Sequence, residues 1–137
     1  MINEYNKSDL FRTFQKLDIK KGDSIFLSTS LGMLGKPKTT NKNILLTVSN
    51  WILESLEKLI GEKGNIFVPT YSYSFTKKKK IFSIKNTKST IGYFPNFFIK
   101  KKGIIRSKDP MVSIAGYGPQ AKYVLEKISN TSFGKNC

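Results

Sequence analysis

Residues 39–75, TTNKNILLTVSNWILESLEKLIGEKGNIFVPTYSYSF, decide the fold class. Ile44, Leu45, Val48, Trp51, Ile52, Leu56, Leu59 and Ile60 recur at helical spacing and make one apolar face. The stretch 39–61 therefore reads as an amphipathic helix with Gly61 as its C-cap. After Gly64 the pattern changes. Ile66-Phe67-Val68 is a continuous apolar run stopped by Pro69, which is how a buried strand reads.

Working outward, the same alternation continues on both sides. Upstream, SDLFRTFQKL (8–17) places Leu10, Phe14 and Leu17 at helical intervals behind Ser8 as N-cap, and GDSIFLSTSLGML (22–34) reads as a turn, a buried strand at 24–28 and a polar loop. Downstream, TIGYFPNFFIKKKG (90–103) reads as a short helix closed by Gly103, strands follow near 104–106 and 111–117, and GPQAKYVLEKI (118–128) opens a helix with Pro119. Helices alternating with apolar strands predict an α/β domain, a mixed sheet flanked by helices, spanning 1–137 as a single unit. The tail SNTSFGKNC (129–137) is polar and closes no element, so the fold is expected to be incomplete at its C-terminus. An apolar face should then stand open on the sheet or on the helix 42–60 and offer a route to self-association.

Composition narrows the chemistry. The chain has no histidine and one cysteine, Cys137, which excludes a histidine triad, a disulfide framework and His/Cys metal sites built from these residues alone. No apolar run reaches membrane-spanning length and the N-terminus MINEYNKSDLF is polar, so the expectation is a cytoplasmic protein without a membrane partner. The net charge is +15, yet only two of the 24 basic residues are arginine. That scarcity argues against nucleic acid, because arginine is the better bidentate reader of phosphate and guanine. TKKKKIF (76–82) reads as a solvated loop.

Three segments are candidates for a site. In LSTSLGMLGK (27–36) a strand opens into a loop with three hydroxyls and two glycines, suited to presenting N–H and O–H groups to phosphate or carbonyl oxygens; an ordinary Ser/Gly turn reads the same way. In VPTYSYSF (68–75), Pro69 leaves Thr70 to Tyr73 at the carboxyl end of a strand, where α/β proteins gather ligands. In RSKDPMVSIAGYG (106–118), an arginine stands where coding bias would favour lysine. Its planar fork suits phosphate or carboxylate, or an internal pair with Asp109 or another carboxylate.

Taken in order, GDSIFLSTSLGMLG, GNIFVPTYSYSF, STIGYFPNFFIKKKGIIRSKDPMVSIAGYGP and SFG resemble the antibiotic N-acetyltransferases of the aminoglycoside 3-N-acetyltransferase type, over nearly all of residues 20–134. The resemblance implies an α/β fold that takes acetyl-CoA as co-substrate, needs no metal and acetylates an amine of an amino sugar. It implies that Ser28, Thr29, Ser30 and Leu31 meet the acetyl-CoA arm and that Thr70 and Tyr71 wall the cleft. It implies further that Arg106, Ser107 and Ser113 line the CoA site, with Arg106 facing phosphate or bracing the cleft. The family often has histidine where this chain has Ser28 and His-Pro where it has Asp109-Pro110.

Acetyl transfer needs a neutral amine, hence a base, and donors for the thioester oxyanion. Amides near Ser30 suit the second task. Asp109 is the one acid in these segments, and its expected task is to accept hydrogen bonds that hold 106–113 in shape. The chain alone is therefore expected to lack the base, and no catalytic residue is assignable. The basic surface favours a phosphate-bearing, nucleotide-linked amino sugar, as in surface-polysaccharide synthesis, over a polycationic aminoglycoside of drug resistance. Two alternatives stand beside this reading: a truncated, non-catalytic module that binds CoA or a partner, and a basic nucleic-acid-associated domain.

Overall fold

The computed structural model describes residues 4–73, 76 and 81–127. The chain runs β1 (Glu4–Tyr5), α1 (Lys7–Gln15), β2 (Ser24–Phe26), a 3-10 turn (Leu31–Met33), β3 (Lys36–Pro37), α2 (Ile44–Ile60), β4 (Asn65–Pro69), α3 (Tyr93–Ile99), β5 (Ile105–Arg106), β6 (Ile114–Tyr117) and α4 (Ala121–Glu126). The tail 129–137, with the SFG motif and Cys137, and most of the lysine run at 76–82 lie outside the described residues.

Local chemistry sets where the helices begin. The N-cap of α1 is Asn6, two residues before Ser8: the Asn6 side chain accepts from Ser8 N and Asp9 N, and Asp9 answers by accepting from Asn6 N at 3.0 Å. That reciprocal box satisfies more orphan N–H groups than a serine at position 8 could. α2 starts at Asn43, whose side chain accepts from Leu46 N at 3.2 Å, and ends at Gly61, whose φ of +65° suits glycine.

The sheet is mixed. Its order is β2-β4-β6-β5, with β2 parallel to β4, and β6 antiparallel to both β4 and β5; β1 and β3 form a separate parallel pair. The parallel pair follows from the α2 crossover between β2 and β4. β4 is the centre of the sheet, buried along its length except for half-buried Phe67, as its continuous apolar run requires. Register places Ile66, Val68 and Ala115 on the face that meets the core, with Val48, Ile52, Leu56 and Ile60 of α2 and Phe94 and Phe98 of α3.

Two sequence expectations change. The segment 24–28 is a short edge strand rather than a buried one, and Phe26 is 57% exposed. Register puts Phe26 on the opposite face, in one row with Phe67, Gly116 and Ile105. α4 covers that face at β4, β5 and β6. The α2 face is also rotated: Leu53 is buried, while Ile44 and Leu45 stand about half exposed at the first turn. The first turn runs past the edge of the core, so its apolar residues meet no sheet. No helix among the described residues is long and apolar enough to cross a membrane.

Asn65 joins the sheet to α4. Its Nδ2 donates to Ser24 Oγ at 3.0 Å and its Oδ1 accepts from Gln120 N at 2.8 Å. Gly118, at φ +114°, packs directly on this junction. An added Cβ would strike the Gly64 carbonyl and come within 2.6 Å of Asn65 Oδ1. Gly118→Ala is expected to lower stability by about 2 kcal/mol or more, from strained φ plus a backbone clash. Urea unfolding followed by circular dichroism measures it; an unchanged midpoint would mean the junction is not packed as described.

Candidate functional site

The carboxyl ends of β2 and β4 carry the two groups of residues that the sequence singled out. After Phe26 the chain leaves the sheet, makes one more ladder-type bond from Leu27 N to Phe67 O at 2.8 Å, and opens into Ser28-Thr29-Ser30 and the 3-10 turn. Ser28 and Ser30 are exposed and Thr29 and Leu31 half-buried. Thr29, Ser30, Leu31 and Gly32 form one wall of a cavity of about 230 Å³, and Leu45, Ile91, Gly92 and Tyr93 form the other. The loop thus lies across from the first turn of α2 and the start of α3. Thr29, Ser30 and Gly32 thus border open space, as a carbonyl- or phosphate-binding loop requires.

The second group is closed. Thr70, Arg106, Ser107 and Ser113 are all buried, Arg106 at 6% exposure. Arg106 Nε donates to Ser113 Oγ at 3.1 Å, Nη2 to the Thr70 carbonyl at 2.8 Å, and Nη1 to the carbonyls of Thr87 and Ile84. The guanidinium also lies over the Phe82 ring, 5.0 Å from its centroid. Ser113 Oγ donates to the Thr70 carbonyl at 2.9 Å, and Thr70 Oγ1 donates to the Ser113 carbonyl at 3.0 Å. Ser107 Oγ accepts from Ile114 N at 2.9 Å. The arginine's fork therefore grips carbonyls and one hydroxyl, and through them joins β5, β6, the end of β4 and the segment at 84–87. Burial pushes its pKa down to about 10, which leaves it cationic at neutral pH.

Asp109 works separately. Its Oδ1 accepts from Met111 N and Val112 N, each at 2.7 Å, and so shapes the turn between β5 and β6. Ser72 holds that turn against β4's continuation, donating through Oγ to the Pro110 carbonyl at 2.7 Å. The Tyr71 carbonyl accepts from Thr90 N at 2.9 Å and Ser89 Oγ at 3.0 Å. Tyr73 adopts φ +48° and packs edge-on against Tyr71, with ring centroids 6.2 Å apart. Sequence reasoning passed over Ile91, Gly92, Tyr93 and Leu45 as site residues, because nothing in their spacing says that α2 and α3 converge on the loop. Among the described residues no group of three His, Cys, Asp or Glu side chains could hold a metal ion.

Lysine cannot reproduce the fork, since an ammonium presents a compact tripod of donors. Arg106→Lys should lose at least one charge-assisted bond, about 1.5–3 kcal/mol, and take a donor from the Thr70, Ile84 or Thr87 carbonyl. Denaturant unfolding of the two proteins tests this, and equal stability would remove the bracing role.

The comparisons with known proteins bear on the fold and the family. No curated protein sequence matches the chain. Among solved structures, aminoglycoside acetyltransferase AAC(3)-Xa is similar at TM-score 0.74 and 17% identity, over 93% of this chain and 48% of its own. The YokD protein from Bacillus subtilis is similar at TM-score 0.76 and 17% identity, over 91% of this chain and 54% of its own. AAC-IIIb, in its binary structure with CoASH, is similar at TM-score 0.72 and 15% identity, over 93% of this chain and 51% of its own. The chain thus spans about half the length of these relatives, and identities this low speak for a shared fold. The sequence itself matches the family described as Aminoglycoside 3-N-acetyltransferase over residues 29–137, and the chain belongs to that family.

Proposed function

We propose that this chain is the coenzyme A-binding half of an acetyltransferase that acts on an amine of an amino sugar. One observation carries the reading: a hydroxyl- and glycine-bearing loop, Thr29 to Gly32, opens on a cavity beyond the carboxyl end of β2 in a chain of this family. Support for the cofactor comes from the relative AAC-IIIb, solved with CoASH. Support for the acceptor class comes from AAC(3)-IVa relatives solved with a gentamicin and with apramycin.

In the reaction the amine lone pair attacks the thioester carbonyl, a C–N bond forms, the C–S bond breaks, and CoA leaves as thiolate. The ammonium proton must pass to a base. Ser28 to Leu31 are assigned to the acetyl-bearing arm, with loop amides as donors to the developing oxyanion. Thr70, Arg106, Ser107 and Ser113 hold the strands that carry the site and, being buried, act as positioning residues. Tyr71 is assigned to the cleft wall. Asp109 is committed to two backbone amides and is not assigned the base. The base is assigned to the half of the family fold that the chain does not span. The charge of +15 favours a phosphate-bearing sugar nucleotide over a polycationic aminoglycoside.

Isothermal titration and thiol release test this. The 137-residue chain is expected to bind CoA and to release no thiol from acetyl-CoA above background with aminoglycosides or nucleotide-linked amino sugars. Absence of CoA binding would sink the proposal. Turnover lost in Asp109→Asn would instead make Asp109 the base and overturn its structural role.

A further inference from the structure

The acidic residues are unevenly placed along the chain. None falls between Asp23 and Glu54, and none between Glu62 and Asp109. Those two intervals supply the first turn of α2, the 3-10 turn before it and all of α3. They bring lysines and no carboxylate to that part of the surface. Glu4, which β1 adds, is paired with Lys36 and Lys38, and Glu54 is paired with Lys7. Lys42 and Lys100 are exposed and have no ion-pair partner among the described residues.

Large aliphatic side chains stand out on the same surface. Met33 is 84% exposed, and Ile44 and Leu45 are 47% and 45% exposed. The 3-10 turn that carries Met33 packs against α2. Its Leu31 shares one cavity with Leu45 and Tyr93, while Tyr93 shares a separate groove with Leu46 and Lys100. Lys42 precedes Ile44 by two residues. Exposed aliphatic groups and unpaired cations therefore occupy one neighbourhood at the carboxyl end of β2. We propose that this surface rests on an anionic lipid bilayer, with Met33, Ile44 and Leu45 reaching the acyl boundary and Lys42, Lys100 and Lys101 meeting the lipid phosphates. The inference goes beyond the coenzyme A reading and does not depend on it.

The residue types favour lipid over other anionic partners. A nucleic acid is held by arginine forks and by aromatic rings that stack on bases. Here the cations are lysines and the most exposed apolar groups are aliphatic. The centre of a protein interface is depleted in lysine, whereas Lys42 and Lys100 stand directly beside the aliphatic residues. A lipid surface asks for both at once: apolar side chains that enter the headgroup layer and ammonium groups that meet phosphates. Long lysine stems suit this, since they lie along apolar surface while the charge stays at the polar layer. Resting on a bilayer needs no spanning segment, so the lack of a long apolar helix among the described residues does not oppose it. The net charge of +15 adds a long-range attraction to the same surface.

The test is co-sedimentation with vesicles of phosphatidylcholine alone and of phosphatidylcholine mixed with phosphatidylglycerol. The proteins are the wild-type chain, Met33→Gln/Ile44→Gln, Lys42→Gln/Lys100→Gln, and Leu17→Gln/Val124→Gln, which removes exposed apolar groups elsewhere. Wild type is expected to sediment with the anionic vesicles and not with phosphatidylcholine alone. The apolar pair and the lysine pair are each expected to weaken that binding about tenfold, with the control pair like wild type and all melting curves equal. Failure of wild type to bind anionic vesicles would overturn the proposal. So would a loss in the lysine pair without a loss in the apolar pair, which would show adsorption to any polyanion, nucleic acid included. An equal loss in the control pair would remove the assigned surface. Light scattering supplies the last arm: a wild-type dimer that Met33→Gln/Ile44→Gln converts to monomer would make the patch a contact between copies and overturn the lipid assignment.

Discussion

A buried cation has to be held from several sides, and in this protein the holding is done by four oxygens around Arg106. Three are backbone carbonyls, of Thr70, Ile84 and Thr87, and one is the Ser113 hydroxyl. Removing a guanidinium from water is costly unless its donors are met, so these acceptors must stay where they are for the residue to remain buried. The carbonyls belong to the end of β4 and to the segment before α3; the hydroxyl belongs to the residue before β6. One side chain therefore locks the order of three chain segments at the carboxyl end of the sheet. Thr70 and Ser113 close the same ring by exchanging hydroxyl and carbonyl bonds across the β4–β6 pair.

The open part of the site depends on that closed part. The segment 84–92 leads into α3, and together they place Ile91, Gly92 and Tyr93 opposite the Thr29–Gly32 loop. With the chain at 84 and 87 tied to Arg106, and at 89 and 90 to the Tyr71 carbonyl, this lead-in is fixed relative to β4. The loop on the other wall is fixed through β2, which pairs with β4. Both walls of the cleft are thus referred to the same central strand. Walls tied to one strand in this way are what a pre-formed binding site requires. The buried hydroxyls stabilise and position; the exposed ones are available for binding.

Much of this was legible along the chain. The switch from helical to continuous apolar spacing between residues 44 and 69 does predict α2 and the central strand, because those two periods follow from backbone geometry alone. The resemblance in motif order predicts the family. The same patterns misplace the first cap and the buried strand. Asn6 and Asp9 cap reciprocally, and Ser8 is merely the serine next to them. Ile25, Phe26 and Leu27 look like Ile66, Phe67 and Val68 in sequence. Only the strand order makes one an edge and the other a centre.

The sequence by itself determined the element types, the α/β class, the family and the presence of an unusual arginine, since each rests on local spacing or residue chemistry. It left open what Arg106 grips, because its partners lie 7 to 36 residues away and three are carbonyls, which every residue possesses. A main-chain acceptor carries no signature in the side-chain code. It also left open which exposed residues face each other across the cleft. Tyr93 comes to share one cavity with Leu45 and another with Lys101 only when α2 and α3 pack on the sheet at a particular angle. That angle is set by side chains fitting in the core, a property of the assembled structure that no single segment contains.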